Sequence, residues 1–124
     1  ANRTVAKAEG LAREFAAHGR VQAAGYGDLA GERFDLVLNA TSASLSAELP
    51  PVPASVFAPG CLAYELVYGK GLTPFLKLAQ AGGAARVADG VGMLVEQAAE
   101  AFEWWRGVRP ATAEVIREMT VPLV

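Results

Sequence analysis

Cysteine and histidine are scarce in this 124-residue chain, with one of each, Cys61 and His18. A lone thiol closes no intrachain disulfide, and one cysteine with one histidine makes no metal-ligand cluster. Disulfide scaffolds and metalloenzymes are therefore excluded, and a cytoplasmic home is the expectation. Neither sign of charge dominates: 11 Lys and Arg stand against 13 Asp and Glu, a net charge of −2. Phosphate polymers and anionic bilayers are held by clustered cations, so neither nucleic acid nor membrane is expected as a partner. No apolar run approaches the ~18 residues of a membrane-spanning helix. The opening Ala1-Asn2-Arg3-Thr4 also lacks the apolar core of an export signal. No Ser/His/Asp set or paired-carboxylate constellation is present, which removes the commonest hydrolase chemistries. Glu96, Glu100 and Glu103 read as a solvated face, and His18 as a surface residue near a helix end.

What the chain does have is apolar residues, 52% of the total against 19% charged, enough for one globular domain with buried strands. Thr4 can cap a helix from Val5 to about His18, stopped by Gly19. A short strand is expected around Val21–Ala24. Phe34-Asp35-Leu36-Val37-Leu38-Asn39 reads as a strand buried on both faces, with a functional loop at its carboxyl end. Cys61–Tyr68 repeats that pattern. The prolines at 50, 51, 53 and 59 keep the connection between them extended or turned, with one helical turn at Ser55–Phe57.

Thr73-Pro74 opens a helix ended by Gly82-Gly83, and Ala84–Ala88 reads as a short strand. From Val91 the apolar residues follow helical periodicity to Gly107, and a last helix covers Thr112 to Met119. Strands alternating with helices argue for an α/β fold with a doubly wound parallel sheet.

Four motifs fall in order: Asn2-Arg3-Thr4; Asn39-Ala40-Thr41-Ser42; Tyr64-Glu65-Leu66-Val67-Tyr68 leading to Thr73-Pro74-Phe75-Leu76; and Asp89-Gly90-Val91-Gly92-Met93-Leu94-Val95-Glu96-Gln97. Followed by Phe102, Trp105, Arg106, Gly107 and Pro110, they make the chain resemble the C-terminal, nucleotide-binding half of the shikimate dehydrogenase family nearly end to end. The resemblance implies a partial Rossmann-type sheet and NADP as cofactor. It also implies an oxidoreductase that reversibly reduces 3-dehydroshikimate to shikimate with NADPH in aromatic amino-acid biosynthesis. A quinate/shikimate dehydrogenase relative is the neighbouring possibility.

The resemblance assigns roles residue by residue. Arg3 stands where such folds meet the adenosine ribose, and its planar fork suits a 2′-phosphate. Asn2, Thr4 and Lys7 join it, the last as a point charge one turn on. Thr41 lies on a loop that the family places against the cofactor, and Ser44 stands where the family usually has glycine. Leu66, Gly90 and Met93 are expected at the nicotinamide end, Gly90 by close backbone approach and Met93 by a soft thioether contact. Tyr68 and Gln97 are the expected substrate contacts. Gln97 falls on a stripe that should be apolar, where a buried amide must find partners.

The family's catalytic lysine and aspartate belong to an N-terminal substrate domain, so no catalytic residue is expected here. Residues 1–124 read as a C-terminal NADP-binding domain truncated before the first strand and glycine-rich turn, with the substrate domain absent. In the usual strand order that first strand is central, so its neighbours would carry unpaired backbone groups and could self-associate through open sheet edges. The alternative to an enzyme part is a non-catalytic nucleotide-binding or assembly fragment.

Overall fold

The computed structural model describes residues 1–124. Three parallel strands form one sheet in the order β1 (Phe34–Asn39), β2 (Phe57–Glu65) and β3 (Arg86–Ala88), with flanking helices α1 (Val5–Glu14), α2 (Pro74–Ala81), α3 (Val91–Arg106) and α4 (Ala113–Met119). This is the α/β arrangement expected from the alternation of strands and helices. No helix is long and apolar enough to cross a membrane.

The central strand organises the core. Alternation points Cys61, Ala63 and Glu65 to one face of β2, all fully buried. Phe75, Leu76 and Ala79 of α2 pack there, with Val56 and Phe57 closing the cluster. Helix α2 starts as its sequence dictates: the Thr73 hydroxyl accepts the Leu76 N–H, and Pro74 occupies the first turn. Helix α3 ends at Gly107, whose φ of 71° is a left-handed conformation that glycine takes without strain.

Several expectations are corrected. Residues 21–24 form no strand; the one backbone bond there is Asn2 N–H to the Ala24 carbonyl, and a strand needs a ladder. Helix α1 stops at Glu14 and continues to residue 18 only as turns. Strand β1 is not buried on both faces: it is an edge strand, with Phe34, Leu36 and Leu38 exposed on the side away from α2. Strand β2 begins at Phe57 rather than Cys61 because Phe57 pairs with Phe34, and the register then jumps to Leu36 opposite Leu62. Gly60, at φ 89°, lies in the resulting bulge. The strand ends at Glu65, short of Tyr68. Strand β3 starts at Arg86 because Ala84 N–H still turns back to Ala79 of α2. Helix α4 starts at Ala113, with Thr112 as its cap residue.

Candidate functional site

Parallel pairing brings the carboxyl ends of all three strands to one edge, so the segments after Asn39, Glu65 and Ala88 share it. Open α/β sheets bind ligands in the crevice at this edge. Here a cleft of about 340 Å³ is lined by Asn2, Arg3, Tyr26 and residues 40–43, together with Glu48 and Pro50. The residue after β1 and the entry to α1 thus meet, although they are far apart in sequence.

Asn2 sets the geometry on one side. Its Oδ1 accepts the Thr4 N–H at 2.9 Å, while its backbone N–H donates to Ala24. That turn leads into α1 and places Arg3, exposed, at the cleft. Arg3 takes part in none of the salt bridges, which involve only Arg109 and Arg117. Its five donors remain free for an anion, and a guanidinium fork matches phosphate geometry. Glu48 is the opposing charge on the cleft wall and favours a ligand that keeps its anionic part near Arg3.

Thr41 sets the other side. Asn39 Oδ1 accepts both the Thr41 N–H, at 3.1 Å, and the Thr41 hydroxyl, at 2.8 Å. The Thr41 hydroxyl in turn accepts the Ala43 N–H at 3.3 Å. Beneath this turn lies a polar cluster that the sequence reading missed. Glu65 Oε2 accepts from the Ser44 hydroxyl at 2.5 Å, Asn39 Nδ2 at 3.0 Å and the Thr73 hydroxyl at 3.2 Å. Glu65 Oε1 accepts the Val67 N–H at 3.4 Å. All four side chains are buried, and no buried side-chain polar atom lacks a partner. The signal was available: Cys61, Ala63 and Glu65 alternate, so the glutamate must point inward with the apolar pair. Opposite Glu65 in the parallel register stands Asn39, the other polar strand end.

The remaining expected site residues form a second group along the same edge. Leu66 N–H donates to the Asn39 carbonyl, Gly90 N–H to the Val67 carbonyl, and Gly69 N–H to Asp89 Oδ2. These bonds tie the segment holding Leu66 and Tyr68 to the start of α3, which holds Gly90 and Met93. Gly90 is buried, and the space beside its Cα is filled by the Leu66 backbone rather than left open. Its lack of a side chain therefore serves chain packing. Met93 is 45% exposed and Tyr68 44% exposed, so both present surface.

Gln97 is exposed, contrary to the buried amide expected, and its Nε2 donates to the Leu94 carbonyl at 3.1 Å. The buried stripe of α3 is Val91, Val95 and Ala99, and residues two positions along a helix lie roughly 200° round from it. Met93 and Gln97 accordingly share the outward face. Thr4 and Lys7 lie at and inside the start of α1, both exposed and neither lining the cleft.

The acidic face of α3 also does more than meet solvent. Arg109 bridges Glu96, Glu100 and Glu103 at 2.9, 2.6 and 3.0 Å, and the Thr112 hydroxyl donates to Glu96 at 2.7 Å. Those bonds, the Thr112 hydroxyl first and Arg109 second, hold the Glu96 carboxyl below its ordinary range.

Parallel strands with flanking helices and a cleft at their carboxyl ends define a Rossmann-like α/β domain. The C-terminal domain of shikimate 5′-dehydrogenase matches residues 90–119. A shikimate dehydrogenase (NADP(+)) of Nitrosospira multiformis is 62% identical over 94% of this chain and 42% of its own length. The crystal structure of an Ael1 enzyme from Pseudomonas putida superposes with a TM-score of 0.92 at 61% identity, covering 99% of this chain and 45% of that one. Shikimate 5-dehydrogenase from Thermus thermophilus, solved with NADP(H) and shikimate, gives a TM-score of 0.76 at 33% identity over 95% of this chain and 44% of its own. In sequence and fold the chain matches the C-terminal, Rossmann-like part of shikimate dehydrogenases, and it spans less than half the length of these relatives.

Proposed function

We propose that this chain is the NADP-binding part of a shikimate dehydrogenase, the oxidoreductase that interconverts 3-dehydroshikimate and shikimate in aromatic amino-acid biosynthesis. The observation that carries this reading is Arg3, unpaired with any carboxylate, at the mouth of the cleft closed by Thr41. The residues present fit the cofactor's adenosine end: a free guanidinium for a 2′-phosphate, and a hydroxyl and backbone groups from the 40–43 turn. Asn2 and Thr4 hold Arg3 in place, and Lys7 adds charge nearby. Leu66, Gly90 and Met93 stand for the nicotinamide end, with the Met93 thioether free to pack on an aromatic ring. Tyr68, after β2, and Gln97, on the outward face of α3, are both exposed and are the groups offered to a shikimate hydroxyl or carboxylate. NADPH, when bound, would supply the hydride, and NADP+ would accept it in the reverse direction; this chain's residues bind, orient and exclude water, and none is assigned to proton transfer. The catalytic lysine and aspartate are assigned to a separate substrate domain, and the reaction is placed in the cytoplasm.

The Thermus relative's complex with NADP(H) and shikimate supports the cofactor and the substrate class. The test is reconstitution: this chain mixed with the substrate domain of a close relative, followed by shikimate-dependent NADPH formation. Appearance of NADPH supports an enzyme part. Binding of NADP with no turnover supports a nucleotide-binding module instead.

The exposed Phe34, Leu36 and Leu38 on edge strand β1 favour a second property, self-association through that strand. Multi-angle light scattering giving a concentration-dependent dimer supports it, and a clean monomer rejects it.

A further inference from the structure

We infer that Glu65 is a positioning residue for the cleft, fixing the 39–44 turn through its buried carboxylate; the inference rests on the cofactor reading above. Three observations carry it. First, Glu65 is fully buried and gathers four donors from separate places: the strand end at Asn39, the turn at Ser44, the α2 cap at Thr73 and the chain at Val67. A carboxylate accepts and does not donate, so it is the one acidic or amide side chain that satisfies four donors at once.

Second, Glu65 decides how Asn39 is turned. With Nδ2 donating to Glu65 at 3.0 Å, and at 3.5 Å to the Ser44 hydroxyl that Glu65 itself holds, Oδ1 faces the opposite way and receives both Thr41 donors. Thr41 lines the cleft, so the carboxylate acts on the cleft surface through one intervening side chain. Third, the Ser44 bond, at 2.5 Å, anchors the far end of the same turn. Glu65 thus holds both ends of the segment that faces Arg3, without touching the cleft.

Replacing the carboxylate by an amide of equal size tests this directly. In Glu65→Gln one oxygen position becomes an NH2 group, which meets the Val67 N–H if it replaces Oε1 and the Ser44, Asn39 and Thr73 donors if it replaces Oε2; either placement removes the charge that strengthens the bonds holding the turn. The expected result, measured well below the unfolding temperature, has two parts. Hydrogen exchange at the Thr41 and Ala43 amides speeds up about tenfold, and NADP binding by the 124-residue chain weakens about tenfold, the size of effect expected for a lost charge-assisted bond. Glu65→Asp keeps the acceptor chemistry and recovers part of both effects. Cys61→Ala, a core change on the same strand, lowers the melting temperature and moves neither readout.

Wild-type exchange and wild-type NADP affinity in Glu65→Gln overturn the inference. Should that variant fail to fold, Ser44→Ala removes the turn's tie to Glu65, together with the longer 3.5 Å bond from Asn39 Nδ2, and is expected to change the same two amides; unchanged amides there also overturn it. Altered turn amides in a chain whose unmutated form takes up no NADP support the positioning role and overturn the cofactor reading.

Discussion

The Cα of Gly90 sits against the Leu66 carbonyl so closely that a methyl group there would collide with the oxygen and lie 2.8 Å from the carbonyl carbon. This contact joins the end of β2 to the start of α3. Gly90 has an ordinary φ of −77°, so the requirement for glycine is steric and not conformational. Gly90→Ala should therefore destabilise the chain by about 1–3 kcal/mol, the usual cost of overpacking. Urea denaturation checks it; a wild-type midpoint would show that the 66–67 segment yields without cost.

The Arg109 cluster predicts a pH dependence. Glu96 has its carboxyl lowered from the ordinary 4.5, first by the Thr112 hydroxyl and then by Arg109. A lowered carboxyl contributes stability that is fully present above the unfolded value and is lost as pH falls through the folded one. Glu96→Gln should lower the melting temperature at pH 6, and the difference from wild type should shrink as pH falls below 4.5. Because these groups are exposed, added salt should reduce the difference as well. A difference that is constant from pH 6 to about 3 would contradict the assignment.

Cys61 should be chemically silent in the folded chain. Burial pushes its thiol up, and its side chain lies in the cluster with Phe57 and Phe75. A thiol-reactive dye at mildly alkaline pH should label the native protein only as fast as it unfolds, and label it at once in denaturant. Rapid native labelling would mean that the α2–sheet contact opens readily.

Helix α2 and the span of α3 were legible because local chemistry decides them: Thr73-Pro74 starts one, and Gly107 stops the other. Strand β1 was legible in extent, yet its burial was not, because an apolar run does not reveal which neighbours a strand has. Residues 21–24 read as a strand from their place in the alternation of elements, yet they have no partner to pair with. In the candidate site, the motifs single out Arg3 and Thr41, and the structure brings them to one cleft. Glu65 was overlooked because a glutamate invites a solvent-facing reading unless its register position is followed. Gln97 failed for the converse reason: the helical stripe was drawn through Met93, whereas the buried residues are Val91, Val95 and Ala99.

The most direct measurement of the central claim is calorimetric titration of the 124-residue chain with NADP and with NAD, repeated for Arg3→Ala. If the free guanidinium at the cleft reads the 2′-phosphate, NADP binds about tenfold or more tightly than NAD, as a charge-assisted pair allows. Arg3→Ala then abolishes that preference while leaving NAD binding unchanged. Equal affinity for the two cofactors, or a preference that survives in Arg3→Ala, would contradict it.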